Sequence, residues 1–276
     1  MLLIGLVLLE LTLLFIYIYS ARYYLYLFLL FIYVLFWYWS GAEETGNEAK
    51  PVFRNWCLWR KWTAVQHVWS NREEFATLSK DHTYLFIVTP NMTNMALISG
   101  FGLHGGKLPV DLDVRYILPS LLLCIPILRE ILLWSGACCA KGNKDVEGTI
   151  LKLLRKGKSV AYCPTGMRDY FGQTKTFDLE PAIYQFAHQY NIRLVPVLVE
   201  READRYNIIT HKIQEYTFNW FFVPIPLLFG PRIFGAGPPP KITLSIGTAC
   251  DPSLHTEAGS YKKLVEGQIE GFLFGT

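Results

Sequence analysis

The sequence predicts an α/β domain, a mixed sheet flanked by helices, behind an N-terminal transmembrane helical hairpin. Three observations lead there. Met1 to Trp39 holds only two charged residues, Glu10 and Arg22. Beyond Lys80, short apolar runs rich in β-formers alternate with segments of helical spacing, the pattern of an α/β domain. The composition is apolar for the length: of 276 residues 51% are hydrophobic and 18% charged, with a mean hydropathy of +0.23.

A spanning helix needs about 20 mostly apolar residues, and the first 39 positions are long enough for two. The segments are roughly Leu2 to Tyr19 and Tyr23 to Trp39, with Ser20-Ala21-Arg22 as the polar hinge and Phe36 to Trp39 as an aromatic interfacial belt. A single long tilted helix with Glu10 snorkelling is the alternative. Lys50, Arg54, Arg60 and Lys61 follow the second segment, so the positive-inside bias puts both chain ends in the cytosol, while Arg22 in the turn pulls the other way. A cleaved signal peptide fits poorly, because a basic leader is missing and Tyr19 spoils the cut site.

Ser40 to Lys50 is a polar linker carrying Glu43, Glu44 and Glu48. The expected domains are therefore the hairpin at 1–40, the linker at 41–50 and a cytosol-facing domain at 51–276. From Val52 to Trp69, Trp56, Trp59, Trp62 and Val65 recur at three-residue steps, which reads as a helix. It either faces the core or lies in the headgroup plane. The formal charge of +3 from 26 basic and 23 acidic residues is too mild to argue for nucleic acid. Six cysteines, Cys57, Cys124, Cys138, Cys139, Cys163 and Cys250, lack any CxxC or Cys/His ligand spacing. They read as reduced core thiols, with no metal site.

Candidate strands are Tyr84 to Thr89, Ser159 to Cys163, Ile192 to Val199 and Ile242 to Gly247. Candidate helices are Leu118 to Trp134, Val146 to Arg155, Ala182 to Tyr190 and Tyr261 to Phe274. Pro126 and the pair Arg129-Glu130 place the first of these on the domain and not across the bilayer. Trp220 to Gly237 is aromatic, Pro-rich and nearly uncharged, suited to a membrane-dipping loop, an acyl-chain lining or a buried core loop.

Several blocks, in order, carry a resemblance. They are Phe53-Arg54-Asn55-Trp56-Cys57-Leu58-Trp59, Thr89-Pro90-Asn91-Met92, Pro126-Ile127-Leu128-Arg129-Glu130, Ser135-Gly136-Ala137-Cys138-Cys139, Leu194-Val195-Pro196-Val197 and Glu202-Ala203-Asp204-Arg205-Tyr206. The chain resembles the type 2 diacylglycerol and monoacylglycerol acyltransferase family, within the wider glycerolipid acyltransferases, over nearly its whole length. The resemblance implies a glycerolipid acyltransferase-like fold and acyl transfer from acyl-CoA, as co-substrate with no bound cofactor, to an acylglycerol hydroxyl. It implies a multi-pass protein of the endoplasmic reticulum membrane, or of lipid droplets, with its soluble domain in the cytosol. Its partners would be the bilayer, acyl-CoA, acylglycerol and a homo- or hetero-oligomer with a related acyltransferase.

The departures are as informative as the matches. The family carries His-Pro-His-Gly where this chain has Thr89-Pro90-Asn91-Met92, so Asn91 stands at the position of the catalytic base. An amide can orient a hydroxyl, but it cannot hold a proton near neutral pH as an imidazole does. None of the six histidines has an Asp five residues later to restore a His/Asp pair. His104, beside Gly105 and Gly106, is the nearest substitute in sequence; His82 lies at the far end of the preceding strand. The second block, Tyr162 to Asp169, follows a strand and resembles the family's glycine loop. Such a loop presents backbone N–H groups to an anion, and Arg168 could hold a phosphate oxygen; a plain strand-to-helix turn is the alternative.

By resemblance, Asn91, Asp169 and Glu202 belong to the catalytic site, and Thr89, Pro90, Thr165, Gly166 and Arg168 to the substrate. Thr165 replaces an acidic residue of the wider superfamily, which disfavours phosphate-ester acceptors. Asp178 and Glu180 stand where the family is basic, which weakens attraction to CoA phosphates; with Pro181 they also suit a helix start. Asn91-Met92-Thr93 is a glycosylation sequon, read as incidental in a cytosolic domain. The expectation is a weak or lost acyltransferase, with an inactive lipid-binding or regulatory partner of an active relative as the alternative.

Overall fold

A computed structural model describes residues 17, 19–36, 41–46, 49–50, 52, 66–70, 72–75, 77–89, 97–102, 112–124, 128–140, 145–164, 181–200, 241–255 and 257–274. The chain divides into two units, Met1–Ala42 and Glu43–Thr276.

In the first unit, α1 spans Tyr19–Phe36 and is the one helix among the described residues long and apolar enough to cross a membrane. At 1.5 Å per residue its 18 residues reach about 27 Å, close to the hydrocarbon thickness. None of its residues is buried. The expected hinge is absent: Ser20, Ala21 and Arg22 lie inside the helix. Ser20 needs no turn, because its hydroxyl donates to the Tyr17 carbonyl at 2.9 Å, a back-bond that hides a polar side chain within a helix. The first of the two expected segments is outside the described residues except for Tyr17 and Tyr19.

The second unit starts within the short helix α2, Ala42–Thr45, which lies in the stretch expected to be plain linker. Among the unit's described residues are seven strands: β1 (Gln66–Ser70), β2 (Tyr84–Thr89), β3 (Val114–Ile117), β4 (Ala137–Cys138), β5 (Ser159–Tyr162), β6 (Arg193–Glu200) and β7 (Lys241–Ile246). Their order across the sheet is β1-β7-β6-β2-β5-β3-β4. Strands β2 to β6 are parallel to one another, whereas β7 is antiparallel to β6 and parallel to β1, so the sheet is mixed. The helices are α3 (Arg72–Phe75), α4 (Leu128–Ser135), α5 (Val146–Arg155), α6 (Pro181–Gln189) and α7 (Ala258–Phe274). Pro181 opens α6, as the helix-start reading requires: its missing N–H falls where helices leave donors unpaired.

Two expected helices are corrected. Val52 to Trp69 is not helical throughout, since Gln66–Ser70 is strand β1, paired in register with β7 from Gln66↔Lys241 to Ser70↔Ser245. Pairing to a neighbouring strand overrides the three-residue apolar spacing, which ends at Val65; the tryptophans at 56, 59 and 62 lie outside the described residues. Leu118 to Trp134 is also not one helix. Its described residues form a 3₁₀ turn at Ser120–Cys124 and the helix α4 from Leu128, and Leu118 lies in neither. Pro119 accounts for the non-helical Leu118, because the residue before a proline is pushed out of the helical region.

Connections that move toward β4 and those that move toward β1 lie on opposite faces, as right-handed crossovers dictate. On one face, α5 and α6 pack with α7 against Leu85, Ile87, Val160, Leu194 and Leu198 in one continuous core. On the other, the π-helical turn Ile98–Gly102 and α4 cover alternate positions: Phe86 meets Phe101 at 5.3 Å between ring centroids, and the Tyr116 hydroxyl bonds the Ser135 hydroxyl. Gly102 makes this possible, since a Cβ there would lie 2.5 Å from the Tyr116 ring. Strand β2 is buried at all six positions, as expected for a central parallel strand covered on both sides.

Candidate functional site

In a parallel α/β sheet, ligands bind beyond the carboxyl ends of the strands, at the point where successive connections diverge. Here that point is β2 and β5. From β2 the chain crosses over β5 to reach β3; from β5 it crosses over β2 to reach β6. Register pairs Ile87 with Tyr162 on one side of β2 and Thr89 with Leu198 on the other. The ends of β2, β5 and β6 thus stand side by side, about 4.8 Å between neighbours.

Each of those three strands leads into one of the sequence-selected blocks. Pro90-Asn91 follows β2, Thr165 to Asp169 follows β5 after Cys163 and Pro164, and Glu202 lies two residues past Glu200 at the end of β6. Three stretches that are far apart in sequence therefore depart from one edge of the sheet. Of the expected site residues, Thr89 alone is described, and it is 1% exposed at the end of β2. Pro90, Asn91, Thr165, Gly166, Arg168, Asp169 and Glu202 lie outside the described residues, as do His104, Asp178, Glu180 and the stretch 220–237. His82 is exposed and precedes β2 at its amino end.

Helix α4 returns the chain from the carboxyl end of β3 to the start of β4, so its first turn lies toward this same edge. Arg129 in that turn is 1% exposed, the bulkiest of the fully buried side chains. Its Nη1 bonds the Glu130 carboxylate, which supplies the partner a buried guanidinium requires. In the sequence this pair places the segment on the domain and not across the bilayer, and nothing local puts it near the strand ends. The available signal was an arginine within an otherwise apolar run.

The described thiols of Cys138, Cys139, Cys163 and Cys250 are buried and unbridged, and burial pushes the Cys138 thiol up to about 11 and the Cys250 thiol up to about 12. A buried neutral thiol is a poor nucleophile, which describes Cys138 and Cys250.

No protein-family model matches the chain, and no curated protein matches it either. Among solved structures it is similar to the 1-acyl-sn-glycerophosphate (LPA) acyltransferase PlsC from Thermotoga maritima. That likeness has 14% identity and a TM-score of 0.48, and covers 84% of this chain and 80% of the other.

Proposed function

We propose that the chain is a membrane-anchored protein of the acyl-CoA:acylglycerol acyltransferase type whose catalysis is weak or lost. One observation carries this reading. The three blocks selected for their resemblance to acyltransferase motifs follow β2, β5 and β6, adjacent parallel strands whose ends meet at the topological switch point. In acyl transfer the acceptor hydroxyl oxygen attacks the thioester carbonyl, its proton passes to a base, and the CoA thiolate leaves and is reprotonated. The base is the part this chain lacks, because Asn91 offers an amide where an imidazole is needed. General-base catalysis contributes about 100- to 10,000-fold, so proximity and oxyanion donors alone would sustain only slow turnover. The largely apolar, unburied α1 supports a membrane anchor, on which acyl-CoA and an acylglycerol would meet the domain.

The experiment uses the purified full chain with labelled acyl-CoA and diacylglycerol. Wild-type turnover is expected to be near background, and Asn91→His with Met92→Gly is expected to raise it by about two orders of magnitude or more. Rapid wild-type turnover that Asn91→Ala abolishes would sink the proposal. The same substitution supports a second reading, a lipid-binding or regulatory partner of an active relative, which requires acylglycerol or acyl chains in lipid extracts of the purified protein.

A further inference from the structure

The amino-terminal edge of the sheet, opposite the carboxyl ends of β2, β5 and β6, holds a cationic group that the proposed chemistry does not use. Arg115 on β3 is 5% exposed. It shares a face with the apolar core, because it pairs with Val160 of β5. Its Nη2 donates to the Asp113 carboxylate at 2.8 Å, but Nε and Nη1 are buried with no hydrogen-bond partner. Lys158, in the turn between α5 and β5, donates from Nζ to the Gly46 carbonyl at 2.8 Å. Burial, then the nearby Arg115, holds the Lys158 ammonium below the usual lysine range. Gly46 closes over this group: its φ is +60°, and a Cβ there would lie 2.7 Å from the Cys138 sulfur and 3.8 Å from Arg115 Cγ. Lys156 adds a third positive charge nearby. Asp113 is the acid paired with Arg115, and its side chain is 42% exposed.

A buried N–H left without an acceptor costs about 1–3 kcal/mol, and more on a charged group. Water could accept from Arg115 but would leave the excess charge. An oxyanion would do both, through the short charge-assisted bonds that guanidinium groups make to phosphate and carboxylate. We propose that Arg115 and Lys158 form an anion-binding site at the amino edge of β3 and β5, which takes a phosphate group, free or as a lipid headgroup. Asp113 holds the guanidinium from one side and leaves Nε and Nη1 to the ligand.

The test is thermal unfolding of the detergent-solubilised full chain in inorganic phosphate against sodium chloride at matched ionic strength. It is repeated in nanodiscs of phosphatidylcholine with and without phosphatidic acid. Phosphate at about ten times its Kd is expected to raise the midpoint by at least about 2 °C beyond chloride, and ³¹P line broadening should report the bound ion directly. Arg115→Gln and Lys158→Gln should each abolish the rise. Lys158→Gln, at a less buried position, keeps the comparison available if the Arg115 variant fails to fold. A rise in soluble phosphate identifies a free ligand; a rise only with phosphatidic acid identifies the headgroup. No rise and no broadening in either medium, or a rise that persists in Lys158→Gln, overturns the proposal.

Discussion

Removing one oxygen atom, by Tyr261→Phe, isolates the joint between the last helix and the sheet. Tyr261 sits in the first turn of α7 with its side chain fully buried. Its hydroxyl lies 3.1 Å from the Ile192 carbonyl and 3.1 Å from the Cys250 carbonyl, and accepts from the Leu194 amide at 3.0 Å. Burial pushes the phenol above its ordinary range, so it remains a donor at any working pH. In the variant, Leu194 N–H keeps the Cys250 carbonyl at 3.2 Å, but the Ile192 carbonyl loses the phenol donor. A net hydrogen bond contributes about 0.5–1.5 kcal/mol, and an unmatched buried acceptor costs about 1–3 kcal/mol. The ring still packs between His188 and His255, at 6.5 and 5.9 Å between centroids, so no cavity contribution is added. The expected loss is about 2 kcal/mol, or roughly 4–8 °C in a domain of this size. Urea unfolding followed by near-UV circular dichroism measures it, and hydrogen exchange at Leu194 should speed up in parallel. A loss under about 0.5 kcal/mol with unchanged exchange would refute the assignment of this hydroxyl as the joint.

Other outcomes are equally direct. Ile150→Ala, in the core between α5 and the sheet, should cost about 2–5 kcal/mol in the same urea assay. Peptide-resolved alkylation at pH 8 should leave Cys138 and Cys250 unlabelled in the folded protein and label both in denaturant, since their thiols are held up to about 11 and about 12. The unfolded thiols ionise first, near pH 9, so the stabilisation is fully present below that and is lost as pH rises toward the folded values. Asp251 behaves in the opposite sense: hydrogen bonds from Ser253, then Arg193, hold its carboxyl below the ordinary range. Asp251→Ala should cost about 1 kcal/mol at neutral pH, and melting curves should show the gap to wild type closing as pH falls below about 4.

The legible parts of the fold are those where composition and burial agree. Strands β2, β5, β6 and β7 were readable within two residues, because each is an apolar run in a sheet covered by helices on both faces. The run Val146 to Arg155 was readable as α5 because its apolar positions Ile150 and Leu153 face the core while Lys152 and Arg155 end the helix. Strand β3 escaped notice since Val-Arg-Tyr-Ile carries a charge at a buried position, and a periodicity argument assigns Arg115 to solvent. Strand β4 is only Ala137–Cys138, too short to show any period. Strand β1 was hidden behind tryptophans spaced three apart, and its pairing with β7 joins positions more than 170 residues apart. For the site, the sequence selected the blocks but could not show that their strands are neighbours, since strand order depends on crossovers that no local pattern records. Arg129 is a similar case: its burial depends on α4 packing against the sheet.

Strand β2 also determines what a substitution at Asn91 can mean. It is hydrogen-bonded on both sides, to β5 and β6, and its six residues are buried. The chain therefore leaves the sheet after Thr89 from a position set by two neighbouring strands and two covering layers, not by the residue that follows. Exchanging Asn91 for histidine changes proton affinity at that point while leaving the strand that carries it in place. The amino edge differs, since Arg115 is part of the packing it charges, and removing it alters fold and ligand together. Gain of turnover at position 91 would thus report chemistry, whereas loss of stability at position 115 needs the phosphate comparison before it reports a site.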